Sequence, residues 1–365
     1  MSARSFAAVA LLLAAAACGG GQKQTAAPKL APANPVAVSK LSQGVDAAAE
    51  AGGRKRAIAL LREAVASDPN LWEARYNLGV LLAENGELKA AEPELAKAFE
   101  LAPNAEDVAV ALGEVRRRLG DFNGAASALS SFVKQNPEAT QARTALVSAL
   151  REGGKVDEAI KEAQGALIRR ASDPYALSEL ALSHLERDEV DTAELLSKEA
   201  LKADPNSAVA ERTAGLIALR RGDDAVAFRH FKKAGELDPR DTTARLNMGT
   251  VLVQAGVYGR AAEELRAVVE AEPTNNTAAL ALAAALRGLA KRDDRAALAE
   301  SEKLLRGVLE REPNNLAATF NLAVLCADYL KQPAEAEALY KRFLSEAPDQ
   351  HPGRAEAERF LNSKK

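Results

Sequence analysis

Prolines at positions 69, 103, 137, 205, 239 and 273 fall on one 34-residue period, and Ala171 is the only miss in that series. Fifteen prolines scattered through 365 residues would not align in this way. A fixed period of this length marks a stacked-repeat chain, in which a single unit cannot bury its apolar face and its neighbours supply the missing cover.

The residues between the prolines say what each unit is. Seventeen places before each period position stand Gly52, Gly86, Gly120, Gly154, Asp188, Gly222 and Gly256. Glycine takes the left-handed conformation after a helix without a Cβ penalty, so this column predicts the end of a first helix and a tight turn into a second. The proline cannot extend that second helix, and Asp68, Asn136, Asp204 and Asp238 just before it favour a turn. Twelve places before the proline every unit has alanine, at 57, 91, 125, 159, 193, 227 and 261. Twenty-four places before it come Val45, Gly79, Gly113, Val147, Ala181, Gly215 and Gly249. Two mostly small columns let paired helices approach closely, while bulky neighbours such as Leu95, Leu129, Phe231 and Leu265 fill the surrounding core.

Together these residues resemble the tetratricopeptide-repeat family, and the stretch LWEARYNLGVLLAENGELKAAEPELAKAFELAPN from Leu71 to Asn104 carries the likeness best. The resemblance implies an all-α fold, an α-solenoid superhelix of stacked antiparallel helix pairs. Register gives about nine units over residues 38–350, starting near Val38, Trp72, Glu106, Thr140, Pro174, Ala208, Thr242, Asn276 and Leu316. The eighth is stretched, with 40 residues between Pro273 and Pro313, and the surplus is placed in a turn from Lys291 to Arg295. The ninth exceeds the period by one residue, ending at Pro348, and residues 351–365 are read as a capping helix with Phe360 and Leu361 on one side, followed by a polar tail.

Residues 1–17 are read as a signal peptide. One arginine precedes an apolar run from Phe6 to Ala17, too short to span a bilayer. Cys18, directly after small residues and before three glycines, resembles the lipidated cysteine of bacterial lipoproteins, and residues 18–37 form a polar tether reaching about 25 Å as a random coil. By that resemblance Gly19, where an aspartate would retain such a protein at the inner membrane, favours the outer membrane and the periplasm.

Little in the chain suggests chemistry. Its three histidines, His184, His230 and His351, show no metal-ligand spacing, and no phosphate-cradling loop or catalytic triad motif is present. The expectation is therefore no catalytic residue, no metal, no cofactor and no nucleotide. A net charge of −3 and a secreted reading argue against nucleic acid, and Cys326 is read as a small packing side chain.

Function is expected on a surface. Residues 27, 23 and 20 before each period position point away from the packing columns, and in the family this face lines the concave groove. Arg117 and Arg151 predict a polar, basic patch along its earlier part. Leu182, Leu185, Leu216, Leu219, Leu246 and Val253, with Arg212 beside them, predict an exposed apolar strip that takes a partner. The family's chaperone-docking subset holds a carboxylate with lysine and asparagine in this groove, a combination missing here. The reading is a lipid-anchored periplasmic scaffold that binds segments of envelope proteins and assists assembly of an outer-membrane machine for secretin and pilus, motility, barrel insertion or polysaccharide export. The alternatives are a soluble periplasmic repeat protein, or a glycan-binding or enzymatic groove, against which an aromatic fraction of 4% counts.

Overall fold

The computed structural model describes residues 32–290 and 295–363. The expected signal peptide, Cys18, most of the tether, the inserted turn at 291–294 and the last two lysines lie outside the described residues. Among the described residues there are nineteen α-helices and no strand.

The chain divides into two compact units, Met1–Ile217 and Ala218–Lys365. The first holds α1 (Pro35–Ala49), α2 (Arg54–Ser67), α3 (Trp72–Glu84), α4 (Leu88–Leu101), α5 (Glu106–Arg118), α6 (Phe122–Gln135), α7 (Thr140–Glu152), α8 (Val156–Arg169), α9 (Pro174–Glu186) and α10 (Val190–Ala203). The boundary falls inside α11 (Ala208–Arg220). The second holds α12 (Asp224–Leu237), α13 (Thr242–Gln254), α14 (Tyr258–Ala271), α15 (Asn276–Leu289), α16 (Arg295–Arg311), α17 (Leu316–Val324), α18 (Pro333–Glu346) and α19 (Arg354–Asn362).

Local chemistry sets these boundaries. Asn34 accepts the amide of Val36 and thereby starts α1 at Pro35, so residues 35–37 belong to the first helix rather than to a tether. Asp173, Asp241, Asn275 and Asn315 cap later first helices in the same way. Asp68, Asp204 and Asp238 each accept the amide two residues on, the side-chain turn that carries the chain around the proline. The turn column takes positive φ throughout, from 74° at Gly256 to 81° at Gly86, and Asp188 adopts 60° in place of glycine.

Pairing within repeats is antiparallel: Gly113 meets Leu129 while Arg116, further along α5, meets Gly124, further back along α6. The alanines at 57, 91, 125, 159, 193, 227 and 261 are all fully buried. A Cβ on Gly79, Gly113 or Gly249 would stand 2.5 Å from a side-chain carbon of Leu95, Leu129 or Leu265, so each glycine is the socket for the leucine of its partner helix. In repeat four the sizes are exchanged, with Val147 on the first helix and Ala163 on the second, both fully buried. Repeat one departs from the expected column. Its socket is Gly44, against Leu61, and Val45 is half-buried, because the connector after α1 is one residue longer and shifts the register by one.

A polar clamp recurs within this frame. Arg75, Arg143 and Arg245 each donate to the carbonyl of the proline six residues earlier and pair with Glu94, Glu162 and Glu264, at 2.6, 2.5 and 3.0 Å. The same two positions hold Ala109 with Ala128 in repeat three and Leu177 with Leu196 in repeat five, so polarity changes on both helices together.

The extra residue of repeat nine is absorbed inside its first helix. After α17 the chain makes a π-turn at Leu325–Tyr329, where the amide of Leu330 donates to Leu325 O five residues back. Lys331, at φ 55°, then takes the place that glycine holds elsewhere. Cys326 lies in this turn, fully buried, and burial foremost pushes its thiol up to about 11. Helix α19 packs Phe360 5.0 Å from Tyr340.

Candidate partner-binding face

Successive first helices touch within each unit: α3 with α5, α5 with α7 and α7 with α9 in the first, α13 with α15 and α15 with α17 in the second. Each unit therefore has a first-helix layer, and the candidate residues are distributed over both layers.

In the first unit Arg117 and Arg151 are brought together by carboxylates. Arg117 pairs with Glu114 at 2.8 Å and with Glu152 at 2.6 Å. Glu152 also meets Arg151 at 3.2 Å, and Arg151 reaches Glu179 at 3.2 Å and Glu186 at 3.6 Å. The chain Glu114, Arg117, Glu152, Arg151, Glu179 thus spans three repeats, and its last pair is almost out of water, with side chains 12% and 10% exposed at Arg151 and Glu179. Burial opposes the charge of Arg117, but the hydrogen bonds and charges of Glu114 and Glu152 outweigh it and hold the guanidinium above its ordinary range.

The expected basic patch is corrected by this arrangement. Two arginines face four glutamates, so the network is net negative. Sequence reading missed Glu152, Glu179 and Glu186 because it followed only the columns 27, 23 and 20 places before the proline. Glu152 and Glu186 stand one place later, in a column that also holds Glu84.

At the start of the same layer Trp72 and Tyr76 lie one turn apart on α3, both half-buried. Burial first, and then Asp107 of the next repeat, push the Tyr76 hydroxyl up to about 12. The carboxyl of Glu73, three residues before Tyr76, is raised chiefly by burial and further by Asp68.

The expected apolar strip is not open surface at its start. Leu182 and Leu185 are each 8% exposed and pack with Ala181, Ala193 and Ile217, while half-buried Leu216 closes the edge of the cluster. They serve the stacking of repeat five on repeat six, because leucine at these positions reaches the helix 34 residues on. Arg212 is half-buried beside them. Leu219, Leu246 and Val253 belong to the second unit and are half-buried. There the layer continues with Leu280, Ala284 and Arg287, whose guanidinium donates to Asn321 at 3.2 Å.

Among the described residues no three His, Cys, Asp or Glu side chains could hold a metal ion. His184 Nδ1 lies 2.6 Å from Glu189, and His351 accepts the amide of Gly353.

Comparison with known proteins places these features in context. A tetratricopeptide-repeat model matches residues 43–106, 110–176 and 298–351, and a second model of the same description matches residues 216–286. No curated protein matches the chain in sequence. Among solved structures, the APC/C hetero-tetramer Cut9–Hcn1 superposes with a TM-score of 0.60 at 16% identity, over 85% of this chain and 59% of that one. The chain thus spans 59% of the length of that relative. A tetratricopeptide-repeat protein from Parabacteroides merdae gives 0.41 at 16% identity, over 70% and 97% of the two chains. A thermophilic one from Thermus thermophilus gives 0.44 at 21% identity, over 50% and 99%. At these identities the likeness concerns fold alone.

Proposed function

The chain belongs to the tetratricopeptide-repeat family, whose fold is a scaffold for protein–protein contact, and we propose that it is a lipid-anchored scaffold of the bacterial envelope. On this reading Cys18 carries the lipid, the repeats face the periplasm from the outer membrane, and the first-helix layers hold segments of envelope proteins during assembly of an outer-membrane machine. Secretin and pilus, motility, barrel and polysaccharide-export machines all fit it. No reaction is assigned to the protein itself.

The observation that carries the proposal is the apolar run from Phe6 to Ala17 ending at Cys18, ahead of a helical array. Among the described residues no helix is long and apolar enough to cross a membrane, so attachment on this reading rests on the lipid. A single acyl chain binds membranes only marginally, and stable anchoring takes two signals or more, as a multiply acylated N-terminal cysteine provides.

Fractionation tests it. Cys18→Ser should move the protein from the membrane to the soluble periplasmic fraction and abolish labelling by a fatty-acid analogue. A variant that stays in the membrane pellet with normal processing would rule out anchoring through this residue.

A further inference from the structure

Two arginines suggested that the first-helix layer of the first unit would attract an acidic partner, yet both are already saturated. Arg117 holds two carboxylates and Arg151 holds three. An incoming acidic side chain would have to displace one of them, whereas a basic one displaces nothing.

The same layer offers carboxylates in excess. Glu114, Glu152, Glu179 and Glu186 surround the arginines, and Glu73 and Asp107 stand 34 residues apart on neighbouring first helices, on the face that carries Tyr76. Among the described residues no cation pairs with Glu73 or Asp107, although Glu73 is half-buried. A half-buried carboxylate without a counter-ion is destabilised as an anion, which is why its proton affinity is raised by burial. A cation seated beside it would remove that cost. Trp72 and Tyr76 add aromatic surface of the kind that attracts ammonium and guanidinium groups.

Resting on the reading that the first-helix layer is a partner-binding face, we propose that its portion in repeats two to five docks a basic protein segment. Lysine or arginine side chains of that segment would lie against Glu73, Asp107 and the aromatic pair at one end, and along the outer carboxylates Glu114 and Glu186 at the other. Among the described residues, the second unit's layer, with Leu246, Val253, Leu280 and Arg287, has no such set of carboxylates and takes no part in this recognition.

Three fluorescent twelve-residue peptides of one scaffold sequence, carrying four lysines, four glutamates or four glutamines, test it by anisotropy on the full-length mature protein. The lysine peptide should bind, the glutamate peptide should not, and added salt should weaken the lysine complex. Glu73→Gln with Asp107→Asn should weaken it about fivefold, the product of two partly screened ion pairs. Glu158→Gln with Glu310→Gln removes the same charge from exposed sites on second helices and should leave binding within about twofold. Equal loss in both double variants would mean that net charge alone is sensed, and would overturn the proposal. Preference for the glutamine or glutamate peptide would also overturn it, while leaving the scaffold reading intact. Circular dichroism confirms that each variant is folded, and the Cys18 fractionation is independent of this face.

Discussion

The first-helix layers of the two units are built on one plan and filled with opposite chemistry. In repeats three and four of the first unit, the residue 20 before the period position is Arg117 or Arg151, and each is locked to glutamates of its own and the adjoining repeat. In the second, Arg287 holds the corresponding position in repeat eight and donates to Asn321, a neutral amide, beside leucine, threonine and alanine. The packing columns beneath show no such divergence. Ala193 in the first unit and Ala261 in the second are both fully buried. The repeat therefore constrains what lies between helices and leaves the outer faces free to specialise.

The strongest way to break this contrast is to make the same substitution in both layers. Arg151→Ala leaves Glu179, 8% exposed, without its cation. Removing one partner of a largely buried pair typically costs about 3 kcal/mol, because the remaining charge has nowhere to go. Arg287→Ala removes one hydrogen bond to a neutral amide in a half-buried setting and should cost about 1 kcal/mol or less. Denaturant melts of the two variants measure the difference. Equal losses would mean that the network does not distinguish the layers.

The packing columns should behave identically in both units. Ala193→Leu and Ala261→Leu each force about three extra heavy atoms into a fully buried helix contact, at a cost of about 1–3 kcal/mol. Coupling between neighbouring repeats should spread the loss beyond the mutated pair, which hydrogen exchange would show as reduced protection in the adjoining helices. An unchanged melt for either variant would remove that alanine from the set of inter-helix contacts.

The sequence was legible where a single residue type has one physical reason to be present. Glycine at the positive-φ turn, proline after the second helix and alanine at the helix contact each follow from backbone sterics or close approach, and a period of 34 exposes them. Gly44 in place of Val45 was hidden because a longer connector displaces the column by one. The π-turn of repeat nine appears in sequence only as a surplus residue, and no local signal says whether a loop or a helix absorbs it. The candidate face was the least legible part. Whether arginine makes a basic patch depends on which carboxylates come within reach, and Glu152 and Glu179 reach Arg151 from different repeats. Whether Leu182 is a binding or a packing residue depends on the neighbouring helix that covers it, which the period alone does not give.

The smallest expected effect reads the acidic character of the first layer directly. Tyr76 and Tyr340 both have hydroxyls raised above the ordinary 10.0, by burial first in each case. The second influence differs: Asp107 acts on Tyr76, and Glu356 on Tyr340. Because the folded state holds Tyr76 neutral up to about 12, its contribution to stability is complete below pH 10.0 and is lost as pH rises from there toward about 12. Asp107→Asn removes a negative charge that disfavours the phenolate, so the Tyr76 midpoint in an absorbance titration should fall, by about half a unit through partly screened water. Tyr340, in the other unit, should titrate as before. A Tyr76 midpoint that does not move, or one that rises, would show that Asp107 exerts no field on the aromatic end of this face, and would take away one of the two carboxylates assigned to the basic segment at that end.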